Sequence, residues 1–91
     1  IAAGRLQGSP GRVIYTQMLN QKGGIEADVT FLHLSPDRYL MITGSGFGIR
    51  DSGWLARHLP DGVTMREVTN AYATLNLCGP KSREVLARIT S

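Results

Sequence analysis

The amino-acid sequence predicts an α+β fold, an antiparallel sheet with helices on one face and elements in the order βββαββα. Two observations carry this prediction. The first half of the chain contains three short runs of strand-forming residues separated by turn sequences, and the later part contains two amphipathic runs with helical spacing. Because strands joined by tight turns pair antiparallel, the pattern does not indicate a doubly wound parallel sheet.

The first two strands are predicted at Val13 to Leu19 and at Ile25 to Leu34. The loop between them ends in two adjacent glycines, which accept positive φ and are typical of a hairpin turn. Apolar residues alternate along the second strand onto one face, namely Ile25, Ala27, Val29 and Phe31. Asp28 therefore lies on the opposite face, where a carboxylate in a strand must meet water, a partner or a ligand.

The length of the hairpin loop determines which residues face each other. A four-residue loop, Gln21 to Gly24, places Gln17 opposite Asp28 and Tyr15 opposite Thr30, with Tyr15 and Asp28 on the same face. A five-residue loop would send Tyr15 to the other side. We predict the four-residue loop because it sets three residues of the first strand against the apolar face of the second: Ile14, Thr16 and Met18.

The third strand is predicted at Tyr39 to Thr43, after a turn with proline at its second position. A helix follows the glycine-rich segment 44–48, capped by Asp51 or Ser52 and ending near Leu59. Its inner stripe is expected to comprise Trp54, Leu55, His58 and Leu59.

Two more strands and a helix are predicted in the last third of the chain. The strands are Val63 to Val68 and Leu75 to Cys78, and Pro80 opens a helix with three inward-facing residues, Val85, Leu86 and Ile89. Residues 1–11 have no periodicity, so we predict a linker or strand remnant there and a partial domain over residues 12–91.

Composition bounds the function classes. A chain of 91 residues allows one domain, and 42% apolar with 19% charged residues is typical of a globular protein. No apolar run approaches the roughly 20 residues that cross a bilayer, so no membrane partner is expected. The net charge of +3 comes from basic residues that are dispersed rather than clustered, which argues against nucleic acid as a partner.

Other candidate motifs favour ordinary structural roles. The spacing of segment 44–48 is GxGxG, and the third glycine of a dinucleotide fingerprint would fall on Ile49, so a close turn is predicted. His33 and His58 have no second ligand at metal spacing, and no metal site is predicted. Cys78 is the single cysteine and is expected to be buried; the absence of a disulfide favours a bacterial cytoplasm or a mitochondrial matrix.

Three segments carry a resemblance to a known family: GRVIYTQMLNQKGGIEADVTFLHL, RYLMITGSGFGIRDSGWLARHLP and GVTMREVTNAYATLNLCGPKSREVL. They resemble the folate-binding aminomethyltransferase domain of the glycine cleavage T-protein family. The choices YTQ, EAD and TGSGFG are more similar to the version of this domain in the flavin-dependent dimethylglycine and sarcosine dehydrogenases. The resemblance implies that the chain is part of a larger T-protein-like domain.

The resemblance also implies two site residues. Asp28 matches the family's aspartate that contacts tetrahydrofolate near N10 and supports one-carbon transfer, so it is the expected catalytic and cofactor-binding residue. Tyr15 matches a tyrosine that borders the pocket and is expected to bind the cofactor. Ala27 stands where T-proteins usually carry a second acid, so only Asp28 is carried over.

The implied activity is transfer of a formaldehyde-equivalent unit to tetrahydrofolate, which forms methylenetetrahydrofolate in an oxidative demethylase. The pocket is expected to be incomplete and the isolated chain inactive, with FAD only on a missing flavin domain of the same polypeptide. Exposed sheet edges would allow a homo-oligomer of the fragment. Two alternatives are a T-protein that works with a lipoyl carrier protein and a non-catalytic folate-binding or assembly module on the same fold.

Overall fold

The computed structural model describes residues 2–90, which form one three-stranded antiparallel sheet, two α-helices and a 3₁₀ turn. The elements in chain order are β1 (Val13–Leu19), β2 (Ile25–Ser35), β3 (Arg38–Ile42), α1 (Gly48–Ala56), the 3₁₀ turn (Thr69–Ala71) and α2 (Ser82–Ile89). The sheet has the strand order β1-β2-β3, so the predicted meander is confirmed, with strand ends within one residue of the prediction.

The core lies on one face of the sheet. Met18, Val29 and Phe31 are buried there, and the helix α1 packs Trp54 and Leu55 against them. Ile14 and Thr16 of β1 are also buried, as the alternation of apolar residues predicts. A small α+β unit with α1 on one face of an antiparallel sheet is therefore confirmed.

The segment before β1 runs along the edge of the sheet. Ala2 forms an isolated antiparallel bridge with Met18, and the Ala3 N–H donates to the Gln17 carbonyl at 2.9 Å. The Gly4 N–H donates to Thr16 Oγ1, also at 2.9 Å. The predicted linker or strand remnant thus makes strand-like contacts at Ala2, while Ile1 lies outside the described residues.

The predicted fourth and fifth strands are wrong. Residues 63–68 and 75–78 form no strand in the structure, and neither segment joins the sheet. A strand is stable only when its backbone groups pair with a neighbour, and within residues 2–90 the sheet consists of β1, β2 and β3 alone. The predicted order βββαββα therefore becomes βββα, a 3₁₀ turn and α2.

The helices also differ from prediction in position and packing. The helix α1 begins at Gly48, before the predicted cap at Asp51 or Ser52, and it ends at Ala56 rather than near Leu59. None of the residues of α2 is buried, and the three expected to face inward are 46%, 47% and 75% exposed: Val85, Leu86 and Ile89. Cys78 and His58, expected to be buried and to face inward respectively, are exposed as well.

Within residues 2–90, no helix has the length and apolar character needed to cross a membrane.

Candidate functional site

Tyr15 and Asp28 lie on the same exposed face of the β1–β2 hairpin. Gln17 pairs with Asp28 and Tyr15 pairs with Thr30, which confirms the predicted register over most of β1. The Tyr15 side chain is 69% exposed and Asp28 is exposed, because α1 covers the opposite face of the sheet. The two side chains are thus diagonal neighbours on this face, because Asp28 lies two residues along β2 from Thr30, the partner of Tyr15.

The turn of this hairpin differs from the predicted four-residue loop. The Asn20 N–H donates to the Gly24 carbonyl at 2.9 Å, Gly23 adopts a positive φ of 79°, and Leu19 pairs with Ile25. The pairing of Leu19 with Ile25 is the one expected for a five-residue loop. Such a loop without a bulge would place Tyr15 and Asp28 on opposite faces of the hairpin. A β-bulge opposite Met18 and Leu19 restores the predicted register, because Glu26 is an extra residue on β2.

Charge couples the two site residues. The pKa of Tyr15 is raised above its ordinary value of 10.0, mainly because the negative charge of Asp28 opposes formation of the phenolate. Among residues 2–90, Arg50 forms an ion pair with Glu26, and Asp28 forms no ion pair. The carboxylate of Asp28 is therefore not consumed by a structural salt bridge.

The surroundings of Tyr15 and Asp28 on this face are polar directly across the strands, where Thr30 and Gln17 are their partners, and apolar to one side. Val13 pairs with Leu32, which pairs with Leu40, and Ile42 pairs with Thr30 beside Tyr15. Val13 and Ile42 are 64% and 44% exposed. We name this surface the open face, defined by Val13, Tyr15, Gln17, Asp28, Thr30, Leu32, Leu40 and Ile42. A flat ligand ring that covers it would bury apolar surface with the carboxylate of Asp28 at its edge.

The covered face, which is the face of the sheet that α1 packs against, contains a buried carboxylate. The sequence predicts this residue only as a candidate helix cap. Asp51 is 6% exposed and accepts a hydrogen bond from the Thr43 hydroxyl, so it ties the end of β3 to α1 instead of capping the helix. Beside it is a cavity of about 10 Å³, roughly one water in size, lined in part by Glu26, Arg50 and Trp54. Because this cavity is small and lies on the covered face, it is separate from the open face.

The two histidines lie in different surroundings. His33 is 4% exposed and stacks on Tyr39 with ring centroids 4.5 Å apart, and neither ring nitrogen has a partner among residues 2–90. His58 is exposed, with Nδ1 2.8 Å from the Trp54 carbonyl oxygen. In the part of the chain that the structure describes, no three His, Cys, Asp or Glu side chains are arranged to hold a metal ion.

Comparisons with known proteins identify similar sequences. A family model described as the GCVT N-terminal domain matches residues 1–91. The chain is 35% identical over 79 residues to human mitochondrial dimethylglycine dehydrogenase and 34% identical over 80 residues to an aminomethyltransferase of Halalkalibacterium halodurans. It is also 38% identical over 80 residues to the formaldehyde-forming 4-methylaminobutanoate oxidase of Paenarthrobacter nicotinovorans.

These matches cover 84%, 88% and 87% of the chain, respectively, but only 9%, 22% and 10% of the relatives. The chain thus spans a small part of the length of the proteins it matches. No solved structure matches it.

Proposed function

Because this chain belongs to the GCVT N-terminal domain family, we propose that it forms one wall of the pocket in a tetrahydrofolate-dependent one-carbon-transfer domain. The observation that carries this proposal is that Asp28 and Tyr15 lie on the same face of the β1–β2 hairpin, the open face. An acid without an ion pair among residues 2–90, an exposed phenol and an adjoining apolar surface fit a ligand with a flat ring and a basic nitrogen.

The two side chains have different tasks in this proposal. The carboxylate oxygens of Asp28 orient a ligand N–H and accept its proton, since they are exposed to the open face. Tyr15 is a neutral phenol at physiological pH, and its raised pKa moves deprotonation further from that range, so it offers a ring face and a hydroxyl donor. Tetrahydrofolate, when bound, supplies the nitrogen that receives the one-carbon unit.

Within this family we propose the oxidative demethylases of the dimethylglycine and sarcosine dehydrogenase type, with methylenetetrahydrofolate as the product. The YTQ, EAD and TGSGFG motifs support this choice, as do the matches to dimethylglycine dehydrogenase and to 4-methylaminobutanoate oxidase. FAD would lie on another domain of the same polypeptide, in a bacterial cytoplasm or a mitochondrial matrix. The open face provides a single wall, so weak or absent folate binding is expected for residues 12–91 alone.

The second candidate is a free-standing aminomethyltransferase, which the match to the Halalkalibacterium halodurans protein favours. A dinucleotide-binding glycine fingerprint in the sequence preceding this segment would distinguish the demethylase from it.

The test is Asp28→Asn in the full-length protein that carries this segment. We expect methylenetetrahydrofolate formation to fall by about 10²-fold or more, since a proton acceptor at the reacting nitrogen is lost. Flavin reduction by the methylated amine should be unchanged, and the one-carbon unit should leave as formaldehyde. Asp37→Asn, at an exposed aspartate in the β2–β3 turn, is the matched control.

A pair of tyrosine variants tests the role of the Tyr15 hydroxyl. Tyr15→Phe should raise the KM for tetrahydrofolate, whereas Tyr72→Phe should not, although Tyr72 is 66% exposed and Tyr15 is 69% exposed. Unchanged methylenetetrahydrofolate formation in Asp28→Asn would refute the assignment of Asp28.

A further inference from the structure

The β-bulge of the hairpin bears on the proposed function, and our inference about it rests on that function. We propose that Glu26 is a positioning residue: by holding the bulge in β2, it keeps Asp28 aligned with Tyr15 on the open face. Glu26 does not itself belong to the open face, and it acts through the hairpin backbone.

The hairpin contains two registers that disagree by one residue. Near the turn, Leu19 pairs with Ile25, and continuing this register along the strands would place Asp28 opposite Thr16, on the covered face. From Met18 onward, the observed register instead places Asp28 opposite Gln17. Glu26 is the inserted residue that joins the two registers, so the side on which Asp28 lies depends on the bulge.

The Glu26 side chain is held from two directions. One carboxylate oxygen, Oε1, accepts a hydrogen bond from Asn20 Nδ2 at 3.0 Å, and the other, Oε2, pairs with Arg50 of α1 at 3.2 Å. Asn20 in turn accepts hydrogen bonds from the backbone N–H groups of Lys22 and Gly24, each at 2.9 Å. These contacts link the turn to α1 across the bulge, and the Glu26 side chain that makes them is only 24% exposed.

The core residues of β2 limit how far the strand can shift when the Glu26 side chain is removed. Val29 is 2% exposed and Phe31 is 8% exposed, and both would leave the core if the whole strand slipped by one residue. The far end of the hairpin therefore keeps its register when Glu26 is removed. The mismatch moves into the segment between the turn and Val29, which contains Asp28.

The experiment compares Glu26→Ala and Glu26→Gln in the full-length protein. The alanine variant should lower kcat for methylenetetrahydrofolate formation about tenfold, since small displacements of a catalytic group reduce rates on this scale. It should also lower the pKa of Tyr15, followed by NMR of ¹³C-labelled tyrosine, because Asp28 moves away. Glu26→Gln keeps an oxygen that accepts from Asn20, so it should restore most of both properties.

Glu67→Ala is the matched control, because Glu67 is exposed and bonds only to its neighbour Thr69. If Glu26→Ala fails to fold, Arg50→Ala removes one of the two contacts and should change kcat and the pKa of Tyr15 in the same direction, by less. Wild-type kcat and an unchanged Tyr15 titration in the folded variant would overturn the proposal.

The titration separates this inference from the function on which it rests. If Asp28→Asn leaves methylenetetrahydrofolate formation intact while Glu26→Ala still lowers the pKa of Tyr15, the catalytic role of Asp28 fails and the alignment role of Glu26 stands. If Asp28→Asn abolishes transfer and Glu26→Ala changes neither property, the alignment role alone fails.

Discussion

Asp28 and Tyr15 are coupled by charge although both side chains are exposed to solvent. The negative charge of Asp28 raises the pKa of the Tyr15 phenol above its ordinary value of 10.0. Because the folded chain holds this proton more tightly than the unfolded chain, its contribution to stability is present below about pH 10 and is lost as the pH rises through the folded pKa of Tyr15. Physiological pH lies well below this range, so Tyr15 is a hydroxyl donor there.

We predict that Asp28→Asn lowers the pKa of Tyr15 toward 10.0, since the opposing charge is removed. The measurement is a pH titration by NMR of the ¹³C-labelled tyrosine rings, with the Tyr15 signal assigned by its absence in Tyr15→Phe. Asp37→Asn is the control and should leave the titration of Tyr15 as in the wild type. A Tyr15 pKa that does not move in Asp28→Asn would show that the two groups are not coupled in solution.

The hairpin illustrates how far sequence patterns determine an element. The alternation of Ile14, Thr16 and Met18 against the apolar face of β2 predicted the register, because a slip would expose Val29 and Phe31. The turn was not predicted correctly, since its form depends on side-chain contacts of Asn20 rather than on periodicity. The polar Glu26 in a strand was the available signal for the bulge, but its partner Arg50 is distant in sequence.

Asn20 makes Gly24 sensitive to substitution. A Cβ at Gly24 would lie 2.9 Å from Asn20 Nδ2, and this amide cannot move without weakening its bonds to Glu26, Lys22 and Gly24. We predict that Gly24→Ala lowers the free energy of unfolding by about 1 kcal/mol, measured by urea denaturation.

Gly53→Ala in α1 is the matched glycine control, because among residues 2–90 its Cβ would meet only Arg57 Nη1, at 3.9 Å. It should raise the free energy of unfolding by about 0.5–1 kcal/mol through helix propensity. Gly24→Ala as stable as the wild type would contradict the bracing role of Asn20.

Over the whole chain, the buried residues lie in the part that folds around the sheet. Every buried side chain among residues 2–90 falls between Ile14 and Asp51, and none lies in residues 57–90. Local patterns predicted the first part well, because its strands are consecutive and find their partners through short turns. They predicted the last part poorly: Val63 to Val68 has strand-type residues, but a strand also requires a neighbour, which a local pattern does not specify.

This asymmetry predicts a difference in local stability that hydrogen exchange of the chain will measure. The helix α2 has eight residues, whereas an isolated helix needs about 12–15 residues to be even marginally stable in water. No residue of α2 packs against the core cluster of residues 2–90. We expect its amides to exchange within about tenfold of unstructured rates, whereas the amides of β2 exchange only through opening of the sheet. Equal protection of α2 and β2 would mean that the last third of the chain folds against the sheet in solution. The proposed pocket would then have a second wall within these 91 residues, and the predicted weakness of folate binding would have to be abandoned.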